Sequence, residues 1–190
     1  VSIPLSYGSN RIEVGVVNSS GAESFRKPLL VKHSGDSPAL RTYFIGIGID
    51  KYTNAAKNLQ YSVKDIRDLS SALRRKFGDR LILDTLFDEA VTVASLQQVK
   101  QLLQQTAVND RVIISYSGHG LLSKNFDYYL ATSAVNFDNP EEHGIPYEAI
   151  EDLLDSIPAR QKLLLIDACH SGEVDKADLV VMNSMADSLH

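Results

Sequence analysis

The sequence holds one cysteine, Cys169, and no tryptophan among its 190 residues. A single cysteine excludes an internal disulfide, so the cysteine content gives no indication of an oxidising compartment. No stretch approaches the roughly 20 consecutive apolar residues that a membrane-spanning helix needs. The N-terminus also lacks the basic and then apolar layout of a signal peptide. We therefore expect a cytoplasmic protein that has no membrane partner.

Positive charge is also scarce, because 19 lysine and arginine residues face 24 aspartate and glutamate residues, which gives a net charge of −5. A nucleic-acid partner would need a basic stripe, and the sequence lacks one. Residues 138–178 carry eleven carboxylates and three basic side chains. These carboxylates either lie on solvated surfaces or create a negative field that attracts basic ligands, and the composition leaves both interpretations open.

Metal and cofactor motifs are missing as well. One cysteine and scattered histidines do not form a zinc site, and there is no calcium loop of the EF-hand type. The segment Gly46-Ile47-Gly48 is not a dinucleotide fingerprint, because Lys51 stands where the third glycine belongs. We therefore expect neither a metal site nor a cofactor.

Residues 1–33 are predicted to end in a β-hairpin. Apolar and polar side chains alternate over residues 10–17, the segment NSSG at 18–21 is typical of a turn, and residues 22–32 can return as a second strand. The NSS triplet also matches a glycosylation sequon, but we favour the turn. A lone hairpin is marginally stable in water, so we interpret this segment as the end of a β-sandwich domain. Residues 34–40 form a polar linker.

From residue 41 onward, strands and helices alternate. Apolar runs predict four strands, at residues 43–49, 81–87, 111–116 and 162–166. Apolar side chains at helical spacing predict helices over residues 63–77 and 93–105, with Thr92 as a cap, and a third helix that starts near Pro146. This order predicts an α/β domain in which helices cover both faces of a parallel sheet.

Two of the predicted strands end in unusual residues, SGHG at 117–120 and DACHSG at 167–172. Functional sites in an open parallel sheet lie beyond the C-terminal ends of its strands, so His119 and Cys169 are expected at one edge of the sheet. A cysteine thiol is only a few per cent thiolate at neutral pH, and an imidazole can take its proton. In this interpretation the backbone amides of Gly120 and Cys169 form an oxyanion hole. The alternative is a packed histidine and a buried structural thiol.

These paired motifs resemble those of the caspase-type peptidases, in particular the metacaspases and the bacterial caspase-like proteins called orthocaspases. The separation of 169 − 119 = 50 residues also fits. The resemblance implies a three-layer sandwich with a mostly parallel central sheet, a bacterial source, and a catalytic domain over residues 41–190. It also implies that a second chain or further segment completes this large-subunit-like domain. The hairpin more weakly resembles the Ig-like module that precedes some bacterial members.

The resemblance further implies cleavage after Arg or Lys in a protein or peptide substrate. The acidic pocket of the family corresponds here to Asp65, Asp167, Ser117 and Ser62, although the family often has cysteine at the position of Ser62. Two carboxylates suit a guanidinium, which carries a fork of donors. Asp65 also has an ordinary explanation, because an acidic side chain is stabilising in the first turn of a helix.

The resemblance implies activation by processing or by an upstream signal. Calcium activation is common among metacaspases, but the calcium positions of the family do not correspond cleanly to this sequence. Two other functions remain open. The domain could be a catalytically silent adaptor that uses the fold only for binding, or a different thiol hydrolase or acyltransferase on an α/β sheet.

Overall fold

The structure is a computed structural model that describes residues 2–35 and 39–168. The predicted nucleophile, Cys169, lies outside the described residues, as does the rest of the segment that follows it. Within the described part of the chain, no helix is both long enough and apolar enough to cross a membrane.

The N-terminal hairpin consists of strands β1 (Gly8–Val14) and β2 (Lys27–His33), which pair antiparallel from Gly8 opposite His33 to Val14 opposite Lys27. The predicted turn is confirmed. The Asn18 side-chain oxygen accepts hydrogen bonds from the backbone amides of Ser20 and Ala22, at 3.0 and 2.9 Å. These two hydrogen bonds to the Asn18 carboxamide therefore stabilise the turn. The assignment of this hairpin to an Ig-like module stays a prediction.

Ten α-helices and β-strands follow the hairpin among the described residues. In chain order they are β3 (Thr42–Gly48), α1 (Ser62–Phe77), β4 (Leu81–Phe87), α2 (Val93–Leu103), β5 (Arg111–Ser117), β6 (Gly120–Leu122), β7 (Tyr128–Leu130), β8 (Ile145–Pro146), α3 (Tyr147–Leu154) and β9 (Gln161–Asp167). Strand β9 precedes the predicted nucleophile in the sequence. Strands β4, β3, β5 and β9 form one parallel sheet in that order.

Helices cover both faces of this central sheet. On one face α1 packs through Ile66 against Phe44 and Ile113. On the other face α2 and α3 contribute Val99 and Ile150, both fully buried, to the larger apolar cluster. Thr92 caps α2 as predicted, because its hydroxyl accepts the amide hydrogen of Ser95 at 3.1 Å. The predicted α/β architecture, a parallel central sheet between helical layers, is therefore confirmed.

A small antiparallel sheet of β6, β7 and β8 was not predicted. Its strands have only two or three residues each, too few for the alternation by which a strand is recognised in sequence. This sheet begins with Gly120, the last residue of the SGHG motif, so it extends the region that follows β5.

Strand β9 lies at an edge of the described central sheet. Strands β3 and β5 are buried almost throughout, whereas Leu163 and Leu165 on β9 are 46% and 38% exposed. Apolar side chains at a sheet edge are typical of a surface on which another element packs. This exposure supports the expectation of a completing segment or chain, which stays a prediction.

Candidate active site

Three residues lie in register at the C-terminal edge of the central sheet. Gly48 of β3 is opposite Ser117 of β5, which is opposite Asp167 of β9. The Ser117 hydroxyl donates to the Asp167 carboxylate at 3.4 Å, and the Gly118 amide donates to the Asp167 carbonyl at 3.2 Å. The structure therefore brings together two of the predicted pocket residues. One of them, Asp167, ends the strand that precedes Cys169 in the sequence.

The imidazole of His119 is held by a backbone carbonyl. Its Nε2 lies 2.8 Å from the carbonyl oxygen of Lys57. A carbonyl oxygen can only accept, so Nε2 carries the hydrogen and Nδ1 is left with the lone pair. The ring also contacts two aromatic rings, Tyr52 at 5.0 Å and Phe137 at 5.4 Å between centroids. This arrangement fixes one tautomer and leaves one ring nitrogen able to take a proton.

The main chain of His119 is held as firmly as its ring. Its N–H donates to the Tyr52 hydroxyl at 3.1 Å. Its carbonyl accepts from the Tyr116 hydroxyl at 2.8 Å and from the Ala131 amide at 2.9 Å. The Tyr52 hydroxyl in turn donates to the Ile49 carbonyl at 3.3 Å. Two buried tyrosines thus fix the backbone from which the imidazole projects.

Both tyrosine hydroxyls keep their protons at physiological pH. Burial raises the pKa of Tyr52 from 10.0 to about 12, and burial also raises the pKa of Tyr116 well above its usual value. A protonated hydroxyl can donate one hydrogen bond and accept another, which is the pattern that the Tyr52 hydroxyl shows. Their contribution to the site is positional.

Glycine is required on both sides of His119 by close contacts. A Cβ on Gly118 would lie 2.6 Å from the Tyr116 Oη and 3.1 Å from the Tyr52 Oη. A Cβ on Gly120 would lie 2.0 Å from the Tyr128 Oη. Any larger residue would displace these rings, so the two glycines let the chain pass between the tyrosines.

The other two predicted pocket residues lie at the start of α1. A Cβ on Gly48 would be 3.0 Å from the Ser62 carbonyl oxygen, so the helix begins directly against the end of β3. Ser62 is buried, and its N–H donates to the Asp50 carboxylate at 2.8 Å. Asp65 is exposed in the first turn, three residues further along. Adjacent strands are about 4.8 Å apart, so Gly48 and Asp167 lie within about 10 Å of each other.

Several residues that shape this edge were not predicted from the sequence. Asp50 directly follows the predicted strand 43–49, which is a usable signal. Its carboxylate caps α1 in place of Tyr61, whose side chain makes no capping bond. The Asp88 carboxylate in turn accepts from the Asp50 amide at 2.8 Å. No local signal marks Lys57, which acts through its backbone.

Cys169 lies outside the described residues, and so does its amide in the predicted oxyanion hole. Among residues 2–35 and 39–168, no group of three His, Cys, Asp or Glu side chains is placed to hold a metal ion. The roles predicted for the described residues, and the expectation of no cofactor, stay predictions.

Comparison with known proteins identifies the family. Residues 44–188 match the sequence profile of the family described as Caspase domain. Metacaspase-1 from Meyerozyma guilliermondii is 26% identical over 187 residues, which cover 89% of this chain and 44% of that protein. Metacaspase-1 from Schizosaccharomyces pombe is 28% identical over 140 residues, which cover 66% of this chain and 33% of that protein.

The chain thus spans less than half of the length of these curated relatives. Both are fungal, so the expected bacterial source stays a prediction. A crystal structure of a Geobacter sulfurreducens protein shares the fold, with a TM-score of 0.57 at 21% identity over 74% of this chain and 55% of that one. On the profile match and the curated relatives, the chain belongs to the caspase-domain family, in its metacaspase branch.

Proposed function

We propose that this domain is a cysteine endopeptidase that cuts peptide bonds after Arg or Lys, with Cys169 as nucleophile and His119 as base. The observation that carries the proposal is the orientation of His119. Its Nε2 is occupied by the Lys57 carbonyl at 2.8 Å, so Nδ1 is the nitrogen left to accept a proton. Cys169 follows Asp167 by two residues in the sequence, and Asp167 is bonded to the segment that carries His119.

The reaction follows from these groups. The Cys169 thiol gives its proton to His119, and the thiolate attacks the scissile carbonyl carbon. The amides of Gly120 and Cys169 stabilise the oxyanion that forms, and losing one such donor typically costs about 10²–10³ in rate. His119 then protonates the leaving amine, which breaks the C–N bond and leaves an acyl thioester. Water hydrolyses the thioester with His119 again as base.

The preference for a basic residue rests on Asp167 and its surroundings. The Asp167 carboxylate is exposed and accepts one hydrogen bond from Ser117, so lone pairs remain for a cation. Asp65 is exposed in the first turn of α1 and would supply the second carboxylate. Ser62 is the first residue of the same helix. No described lysine or arginine forms an ion pair with either aspartate. The negative charge of Asp167 and Asp65 favours Arg or Lys over an acidic residue before the scissile bond.

A panel of fluorogenic peptides that differ only in the residue before the scissile bond tests the proposal. We expect hydrolysis after Arg and Lys and none after Asp or Ala, and Cys169→Ala should abolish it. An Arg-based electrophile should label the wild type at Cys169. Hydrolysis that persists in Cys169→Ala, or a chain that is neither labelled nor active, would contradict the peptidase assignment and favour a binding domain.

A further inference from the structure

A pocket of about 260 Å³, lined by both apolar and polar residues, lies near His119 on the side away from β9. We call it the Ser133 pocket. It is lined by residues 51–53, 89, 91–92 and 132–134. Tyr52 connects this pocket to the candidate active site, because it lines the pocket while its ring centroid lies 5.0 Å from that of His119.

The hydroxyl of Ser133 has no hydrogen-bond partner among the described residues, although the side chain is only 9% exposed. The neighbouring hydroxyls are engaged. The Thr53 hydroxyl donates to the Ser133 carbonyl at 3.1 Å, and the Thr132 hydroxyl donates to the His143 carbonyl at 2.7 Å. Buried hydroxyls in native proteins nearly always have a partner, so this exception needs a physical explanation. A ligand in the pocket would supply the missing partner.

The sheet order places this pocket on the leaving-group side of the reaction. Cys169 follows β9 in the sequence, His119 follows β5, and residues 51–53 and 89–92 follow β3 and β4. The edge of the sheet therefore runs from the end of β9, which precedes Cys169 in the sequence, past His119, to the Ser133 pocket. In the proposed reaction His119 protonates the leaving amine, so the peptide beyond the cut starts at His119 and continues away from β9.

Distance limits which substrate residue can reach the pocket. An extended peptide advances about 3.3 Å per residue, and the Tyr52 ring that borders the pocket is 5.0 Å from the imidazole. The first or second residue after the scissile bond is therefore within reach. The walls offer hydroxyls, and the exposed side chains of Lys51 and Glu89 carry opposite charges, so the pocket has no net charge.

We infer that the Ser133 pocket is a specificity subsite, in which the Ser133 hydroxyl bonds an uncharged polar side chain (Ser, Thr, Asn or Gln) one or two residues after the scissile bond. This inference rests on the proposed peptidase function. A neutral hydrogen bond of this kind is worth about 2- to 10-fold in kcat/KM.

The test uses quenched peptides with Arg before the cut and either Asn or Ala at each of the two positions after it. We expect the wild type to prefer an Asn peptide by about 2- to 10-fold in kcat/KM, and Ser133→Ala to bring this ratio close to one. Ser70→Ala is the matched control, because it also removes one buried hydroxyl, but on α1. That control should keep the wild-type ratio.

A binding arm separates the two proposals. The affinity of Cys169→Ala for the same intact Asn and Ala peptides reports on the pocket without chemistry, and adding Ser133→Ala should remove the difference. A wild type that cleaves neither an Arg coumarylamide nor the peptides overturns the peptidase proposal, while an Asn preference in binding would still support the pocket. The subsite is overturned if the wild type has equal kcat/KM values for the Asn and Ala peptides. It is also overturned if Ser133→Ala keeps the wild-type ratio of these values.

Discussion

Replacing Tyr52 with phenylalanine should weaken the fold and change its response to alkali. The Tyr52 hydroxyl accepts from the His119 amide at 3.1 Å and donates to the Ile49 carbonyl at 3.3 Å. The side chain is only 5% exposed, so water cannot fully replace these bonds after the change. Removing one partner of a buried hydrogen bond costs about 1–3 kcal/mol. We expect a decrease of that size in the free energy of unfolding at pH 7.

The alkaline effect follows from the pKa of Tyr52, which burial raises from 10.0 to about 12. Between these values the unfolded chain loses the phenolic proton while the folded protein retains it. The unfolded state then binds fewer protons, so stability falls as the pH rises. A shift of about 2 units corresponds to about 2.7 kcal/mol, which is fully present below pH 10 and is lost as the pH rises through 12.

The assay is denaturant unfolding from pH 8 to pH 12 for the wild type, Tyr52→Phe and the control Tyr61→Phe, whose side chain is 64% exposed. Burial also raises the pKa of Tyr116, and Tyr52 adds to that rise, so the difference between the curves reports on Tyr52 together with its effect on Tyr116. The curve of Tyr52→Phe should be flatter above pH 10 by about 2 kcal/mol or more. Parallel curves for wild type and Tyr52→Phe would refute the reasoning.

Three further predictions concern other parts of the molecule. Asp167→Ala should lower kcat/KM for Arg and Lys peptides by about 30-fold or more, while iodoacetamide still alkylates Cys169; unchanged cleavage of a small Arg peptide would refute the pocket role. Gly118→Ala should lower the free energy of unfolding by about 1–3 kcal/mol, because the new methyl group would meet the buried Tyr116 Oη at 2.6 Å; denaturant unfolding at wild-type stability would contradict this. Arg160→Ala should speed amide hydrogen exchange in residues 5–10, because the guanidinium bonds the Pro4 carbonyl and, at 3.1 Å, the Asn10 carboxamide; exchange no faster than in an Arg11→Ala control would count against it.

The central elements could be predicted from the sequence because their apolar patterns are long. Strand β4 has the predicted bounds, 81–87, and α1 begins one residue before the predicted segment 63–77. The patterns are strong here because α1 buries one face against the sheet, and β4 pairs along its whole length with β3 inside the sheet. The β6–β8 sheet escaped prediction for the opposite reason, since its longest strands have three residues.

In the candidate site, the sequence marks a residue only where a reactive side chain and glycines occur together in one short segment. His119 stands between two glycines at a strand end, and that combination marks it. Tyr52 is 67 residues away along the chain and Lys57 is 62 residues away. Neither has a neighbour in sequence that shows what it contacts, because both contacts exist only after β3 and β5 have paired.

The Lys57 contact explains why side-chain patterns cannot reveal how His119 is held. The acceptor is a main-chain oxygen, so its position depends on the path of the chain and not on the side chain at that position. That path is fixed locally: the Lys57 amide donates to the Asn54 carbonyl at 2.9 Å, and the Asn58 side chain accepts from the Tyr52 amide at 2.8 Å. A carbonyl fixes the tautomer of the ring without placing a full negative charge beside it. The proposed base, His119, is therefore oriented by a turn that the sheet and Tyr52 hold in place, and this orientation needs no third side chain.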